Sequence, residues 1–273
     1  ISTVNIEENG SRQPVPYVLP PGIEREEWYN TSSSYTQLNE QSISIDVDGL
    51  ASGDARAIYR SSGYDLRFYG HMKMFVHAEQ KYESDYMRDG DLSLFVRLGS
   101  DYTSNYYEYE MPLQFTPWYT SSDDPYGIWP EANNVDIDIQ RLTEIKTNRN
   151  IKIRAGDGNY SPSLLYTEVV DGRKYTVLGN PNLGKVKVIM IGVRNPKKQS
   201  LDDGNNMLPK SAIVWINELR LADYINKGGW AAMALARTNL ADVGNLSLYG
   251  SYTTANFGNL EDPLIKEELV NTF

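Results

Sequence analysis

His71 and His77 are the only two histidines in the chain. They lie six positions apart in a stretch that alternates with a period of two, so they share one face of a strand. Six residues of strand span roughly 20 Å, too far for both rings to hold one ion. Theirs is the more polar face, and both read as surface histidines. The carboxylates offer more. Asp46, Asp48 and Asp54 surround Gly49 and Gly53, Asp89 and Asp91 flank Gly90, and Asp202 and Asp203 precede Gly204-Asn205-Asn206. Oxygen-rich turns of this kind suit a structural calcium, or are simply solvated; none has EF-hand spacing. Trp118, Tyr119, Tyr126 and Trp129 suit either a sugar-stacking platform or the packing of a long loop onto a sheet. No local sequence singles out a carboxylate pair for glycoside hydrolysis. A G-x-S-x-G elbow, a phosphate-binding P-loop and a dinucleotide fingerprint are all missing. The expectation is therefore no catalytic residue, no cofactor-binding residue, no cofactor and no resident metal, which means no enzyme.

The elements that would carry these residues are strands. From Asp65 to Glu79 the even positions run Leu66, Phe68, Gly70, Met72, Met74, Val76, Ala78, which predicts one long strand with a buried face and a bulge at Gly70. Asp91–Leu98 repeats the pattern with Leu92, Leu94, Val96 and Leu98 inward, and Tyr106–Phe115 turns Tyr107, Tyr109, Met111 and Leu113 inward. The turn-type run from Met87 to Asp91 predicts that the first two of these strands are neighbours. Trp118–Asn134 is a proline-punctuated loop. Val135–Asn148 fits strand and helix periods alike and is read as a short helix capped by Asn133 or Asn134. Asp171-Gly172 marks a hairpin between Leu164–Val170 and Lys174–Leu178, Lys185–Val193 reads as a central strand, and Ser211–Leu221 alternates with Ile213, Trp215, Asn217, Leu219 and Leu221 on one face. Strands at this spacing with little helix predict an all-β, jelly-roll-like β-sandwich.

Residues 1–40 are broken by Pro14, Pro16, Pro20, Pro21 and Gly22. They read as an extended lead-in lying on something else, anchored by Tyr17, Leu19, Ile23 and Trp28. After Tyr224 the character changes. Lys227-Gly228-Gly229 is a hinge, and Trp230–Arg237 and Leu246–Thr254 are small-residue strands with one apolar face and aromatics near their ends. That is the weak signature of transmembrane barrel strands, or of two more sandwich strands. The domain reading is lead-in 1–40, sandwich 41–224, candidate barrel strands 228–256 and an unassigned tail 257–273.

Composition sets outer bounds. The 273 residues carry 26 basic and 36 acidic side chains, a net charge of −10, which argues against general nucleic-acid binding. Cysteine is absent, removing disulfides, thiolate metal sites and cysteine nucleophiles together. No apolar run reaches transmembrane-helix length. Ile1–Gly10 has no signal architecture, so the chain reads as a piece of a mature or longer protein.

Two blocks of sequence carry a resemblance. The first is Trp129-Pro130-Glu131-Ala132-Asn133-Asn134-Val135-Asp136-Ile137. The second and more specific is Val214-Trp215-Ile216-Asn217-Glu218-Leu219-Arg220-Leu221, followed by Gly228-Gly229-Trp230-Ala231-Ala232 and Leu240-Ala241-Asp242, with Arg194-Asn195-Pro196 between the blocks. Together they resemble the SprA/Sov proteins, outer-membrane translocons of the type IX secretion and gliding-motility system. The resemblance runs over most of residues 1–258 and implies one segment of a much longer protein. It implies a very large transmembrane β-barrel with folded insertions, secreted passenger proteins as cargo, and two partners, a smaller outer-membrane barrel and a plug protein. It brings no catalytic residues. The expectation is a structural and protein-interaction segment of the channel, anchored to the outer membrane through the parent barrel, with its sandwich on the cell-surface side. The alternative is a cell-surface carbohydrate-binding sandwich, and the third reading is a glycan-active enzyme.

Overall fold

The computed structural model describes residues 1–29, 35–85, 87–197, 206–225, 230–240 and 244–253. The hinge at 227–229, Asp202, Asp203, Asp242 and the tail 257–273 lie outside them. The chain divides into two compact units, Ile1–Tyr224 and Ile225–Phe273.

In chain order the first unit holds β1 (Ser2–Asn5), α1 (Ile6–Asn9), β2 (Glu27–Tyr29), β3 (Tyr35–Gln37), β4 (Gln41–Leu50), β5 (Ala55–Tyr64), β6 (Tyr69–Gln80), β7 (Ser93–Gly99), β8 (Tyr106–Pro112), α2 (Pro125–Ile128), β9 (Val135–Asp138), α3 (Ile139–Arg154), β10 (Tyr166–Val170), β11 (Arg173–Leu178), β12 (Val186–Arg194) and β13 (Lys210–Tyr224). Sheet I runs β1-β4-β13-β6-β9 and sheet II runs β10-β11-β8-β7-β12-β5, both antiparallel throughout, while β2 and β3 pair with each other. The inward residues of β6 (Met72, Met74, Val76, Ala78) share one core with those of β7 (Leu94, Val96, Leu98) and β8 (Tyr107, Tyr109, Met111). Alternation alone produces this, because each strand turns every second side chain toward the opposite sheet.

The structure corrects several sequence expectations. Strands β6 and β7 are not neighbours: one lies in each sheet, and the turn before Asp91 carries the chain across the core. Val135–Asn148 is a strand and then a helix. Val135 and Ile137 pair with Met74 and Met72 of β6, after which the Asp138 carboxylate accepts from the Arg141 amide at 3.2 Å and caps α3. The two periodicities overlap in sequence because each element uses its own part of the run. Gly70 is not bulged. The register of β13 on β6 slips instead between Asn217 and Arg220, with Glu218 at φ 54°. That bulge breaks the single-face pattern of β13: Trp215 stays buried, Leu219 is 43% exposed, and Leu221 packs on the main core beside Val214 and Ile216. The Asp171-Gly172 hairpin forms as expected, with φ of 51° and 74° joining β10 to β11.

The first forty residues add a strand to sheet I, since Ser2 pairs with Ser44 and Asn5 with Gln41. Behind that strand a second core forms from Val4, Val15, Tyr17, Ile128, Trp129 and Trp215. Trp215 and Val214 point to opposite sides of β13, so sheet I is covered on both faces around them. Of the expected anchors Tyr17 is fully buried, Leu19 and Ile23 are half-buried, and the Trp28 side chain lies outside the description.

The second unit contains β14 (Ala231–Leu240) and β15 (Gly244–Thr253), one antiparallel hairpin.

Candidate functional site

His77 does not stand on the surface. Its ring is fully buried and stacks on Trp215, with centroids 3.9 Å apart and planes at 25°. Its Nδ1 lies 2.7 Å from the Ile128 carbonyl, which only accepts, so this nitrogen carries the proton. Neighbouring Glu79 is also fully buried, and its Oε1 accepts from Arg12 of the N-terminal segment. The remaining atoms, His77 Nε2 and Glu79 Oε2, face each other at 3.9 Å and have no hydrogen-bond partner among the described residues. Trp129 donates through Nε1 to the Val18 carbonyl at 2.9 Å, and the Tyr17 hydroxyl lies 2.8 Å from Ser42 Oγ. Burial pushes the Tyr17 phenol up to about 12, so it stays a neutral hydrogen-bonding group. The polar face of β6 is therefore the floor of the second core, where His77 and Glu79 clamp residues 12–18 and the loop from Thr116 to Trp129 onto sheet I. Periodicity could not reveal this, because the covering segment is remote in sequence. His71 is different: it is half-exposed, with Nδ1 2.6 Å from Asp136.

Asp46, Asp48, Asp89 and Asp91 serve the protein itself. Lys81 Nζ lies 2.9 Å from Asp46 and 3.2 Å from Asp48, and the Tyr82 hydroxyl donates to Asp48 at 2.9 Å. The Tyr82 hydroxyl and the Lys81 ammonium hold the Asp48 carboxyl below the usual range. Asp91 accepts from buried Lys210 at 2.7 Å, and Asp89 accepts from the Phe115 amide. Among the described residues no group of three or more metal-ligating side chains comes together. The four loop aromatics do not line up either. Trp129 is buried, Trp118 donates to the Gln80 carbonyl, and Tyr119 and Tyr126 are 71% and 69% exposed. The loop-packing reading holds for the two tryptophans.

An ion network that the sequence reading does not anticipate crosses the outer face of sheet II. Arg97 and Arg194 both reach Glu108, while Arg194 and Lys174 reach Glu110. Both glutamates are buried, and the Arg194 guanidinium lies over the Phe95 ring. Its only advance signal was the alternation of Glu108 and Glu110 with the inward tyrosines of β8.

The hairpin of the second unit is the other feature with functional content. Its register sets Ala232 opposite Tyr252, Ala234 opposite Gly250, Ala236 opposite Leu248 and Thr238 opposite Leu246. Directly opposed residues share a face. One face is thus almost wholly apolar, with the Trp230 and Tyr252 rings 5.0 Å apart at one end. The other face carries Arg237, Ser247 and Ser251 beside Met233, Leu235 and Tyr249. Leu248 and Tyr252 are each 60% exposed.

No curated protein matches the chain. A family model named SprA_N and described as motility related/secretion protein matches residues 1–272. With nearly its whole length matched, the chain belongs to the SprA_N family of motility-related and secretion proteins.

Proposed function

We propose that the chain is a segment of the outer-membrane translocon of the type IX secretion and gliding-motility system, a structural and protein-interaction part of the export channel. Membership of the motility and secretion family supports the general reading. The observation that carries the finer one is the hairpin register, which unites the apolar sides of β14 and β15 into one face ending in paired aromatics. Each strand has ten residues, within the 9–11 of a tilted membrane strand. A two-stranded ribbon is at best marginal alone in water, so these strands take their stability from further strands of a barrel wall.

Residues Ile1–Tyr224 are the folded insertion, of jelly-roll type. The orders β4-β13-β6-β9 and β5-β12-β7-β8 within the two sheets support this, because among these eight strands each one is followed by a strand of the opposite sheet except at the β7–β8 hairpin, as in paired Greek keys. The parent barrel sits in the outer membrane. The insertion lies on the cell-surface side, where barrels place their long connections. Its partners are secreted passenger proteins, the smaller barrel and the plug protein.

The chain has no cysteine, so single cysteines report cleanly. Placed one at a time at positions 233–237 and 246–251 of the parent protein in intact outer membrane, they should alternate in labelling by a water-soluble maleimide. Ala234, Ala236, Leu246 and Leu248 should be shielded, while Met233, Arg237, Ser247 and Ser251 react. Uniform labelling along both strands would refute the membrane assignment.

A further inference from the structure

Strand β5 ends sheet II, and among the described residues its outer edge pairs with nothing. It is an open ladder of ten residues. Edges of this kind accept an added strand unless they are blocked. Here the obstruction is selective. Arg56 stands opposite Val193, Ile58 opposite Ile191 and Arg60 opposite Ile189. Val193 and Ile191 belong to the main core and Ile189 packs on it, so Arg56, Ile58 and Arg60 all lie on the inward side of the edge. That side opens into a cleft of about 240 Å³ between β5 and β4, floored by Ile45, Val47 and Leu50. Among the described residues Arg56 donates only to the Ala55 carbonyl, and neither arginine has a carboxylate partner. The carboxylates across the cleft, Asp46 and Asp48, are held by Lys81. On the other side of the strand the Tyr59 ring lies against that of Tyr102, with centroids 5.3 Å apart and planes tilted by 33°, while remaining 58% exposed. Exposed tyrosine and arginine are residue types enriched in protein-binding hot spots.

The geometry points to β5 as a docking edge for an extended acidic segment of another polypeptide, added as a seventh strand to sheet II. The segment carries carboxylates at positions i and i+4 with an apolar residue at i+2. The carboxylates meet Arg56 and Arg60 across the ladder, and the apolar side chain enters the cleft beside Ile58. A second copy of this chain is excluded from the same edge by charge. Antiparallel β5–β5 pairing centred on Ile58 sets Arg56 opposite Arg60, and like charges directly opposed destabilise a pair. The two arginines thus block self-pairing while leaving the edge open to an acidic strand.

The test uses the full chain and a capped seven-residue peptide with glutamate second and sixth, valine fourth and threonine elsewhere, followed by fluorescence anisotropy. Saturable binding is expected, weakened at least tenfold by Arg60→Glu or Arg56→Glu. It should weaken equally when the glutamates move to the third and fifth positions, or when alternate peptide amides are N-methylated. Amide exchange should slow within 55–64 on binding. The proposal is overturned if the peptide does not bind at millimolar concentration. It is also overturned if the lysine counterpart binds as well, or if the N-methylated peptide binds unchanged, which would mark charge attraction without strand addition. Circular dichroism on each variant ensures that lost binding is not lost folding. The lysine peptide should bind Arg56→Glu/Arg60→Glu better than the native chain.

Discussion

Replacing Trp215 with alanine tests the second core most directly. The side chain is 1% exposed and touches three parts of the chain at once. His77 stacks on it at 3.9 Å, Tyr17 lies at 5.5 Å and Trp129 at 6.1 Å, and the Arg12 guanidinium lies 5.3 Å from the ring centre. A buried tryptophan removes about 200 Å² from water, roughly 5 kcal/mol at 25 cal/mol per Å². Measured tryptophan and phenylalanine truncations in cores cost about 3–5 kcal/mol, and a compact unfolded state lowers the area figure, so about 4 kcal/mol is expected. With a urea dependence of about 3 kcal/mol per molar, the midpoint should fall by roughly 1.3 M with an unchanged slope. Circular dichroism is the right probe, because the substitution removes a fluorophore. Trp215→Phe should recover more than half of the loss. A midpoint shift below about 0.3 M would refute the reasoning, since the N-terminal segment and the loop would then not be part of the cooperative unit.

Three further outcomes follow from the same contacts. Arg12→Ala leaves the fully buried Glu79 without its cation and should cost about 3–5 kcal/mol, partly restored by adding Glu79→Gln; equal stability of the two variants in urea titrations would contradict this. Chelation by EDTA should leave the thermal midpoint within about two degrees, because Lys81 already neutralises Asp46 and Asp48, and Lys210 neutralises Asp91; a large drop restored by calcium would show a site those lysines do not account for. Asp101 accepts from the Ser104 amide first, then from Asn105 and Thr103, which holds its carboxyl well below the usual range. A depressed folded-state value stabilises above the unfolded value of about 3.9 and is lost as pH falls toward the folded one. The native chain should therefore outlast Asp101→Asn at pH 6 and lose that advantage below about pH 4 in thermal melts.

Much of the architecture was legible in the residues. The inward sets Met72–Ala78, Leu92–Leu98 and Tyr107–Leu113 are all buried, because a strand with one face in a core must alternate, and alternation survives in sequence. The hairpin at Asp171-Gly172 was legible because positive φ at both positions restricts the residue types. The faces of β14 and β15 could be read strand by strand for the same reason. What stayed hidden depended on partners distant in sequence. Whether β7 pairs with β6 or crosses the core is invisible to a turn sequence, since the same turn serves either path. Whether the polar side of β6 meets water is decided by residues 12–18 and 116–129, which fold over it and make His77 and Glu79 interior groups. The bulge in β13 follows from its pairing with β6 and redirects Leu221 into the core. Sequence by itself determined which positions alternate, where the chain turns and which family it resembles, because these rest on local chemistry. Only the tertiary structure decided which strand lies beside which, which polar residues are sealed in and which edge stays open, because these depend on what the rest of the chain covers.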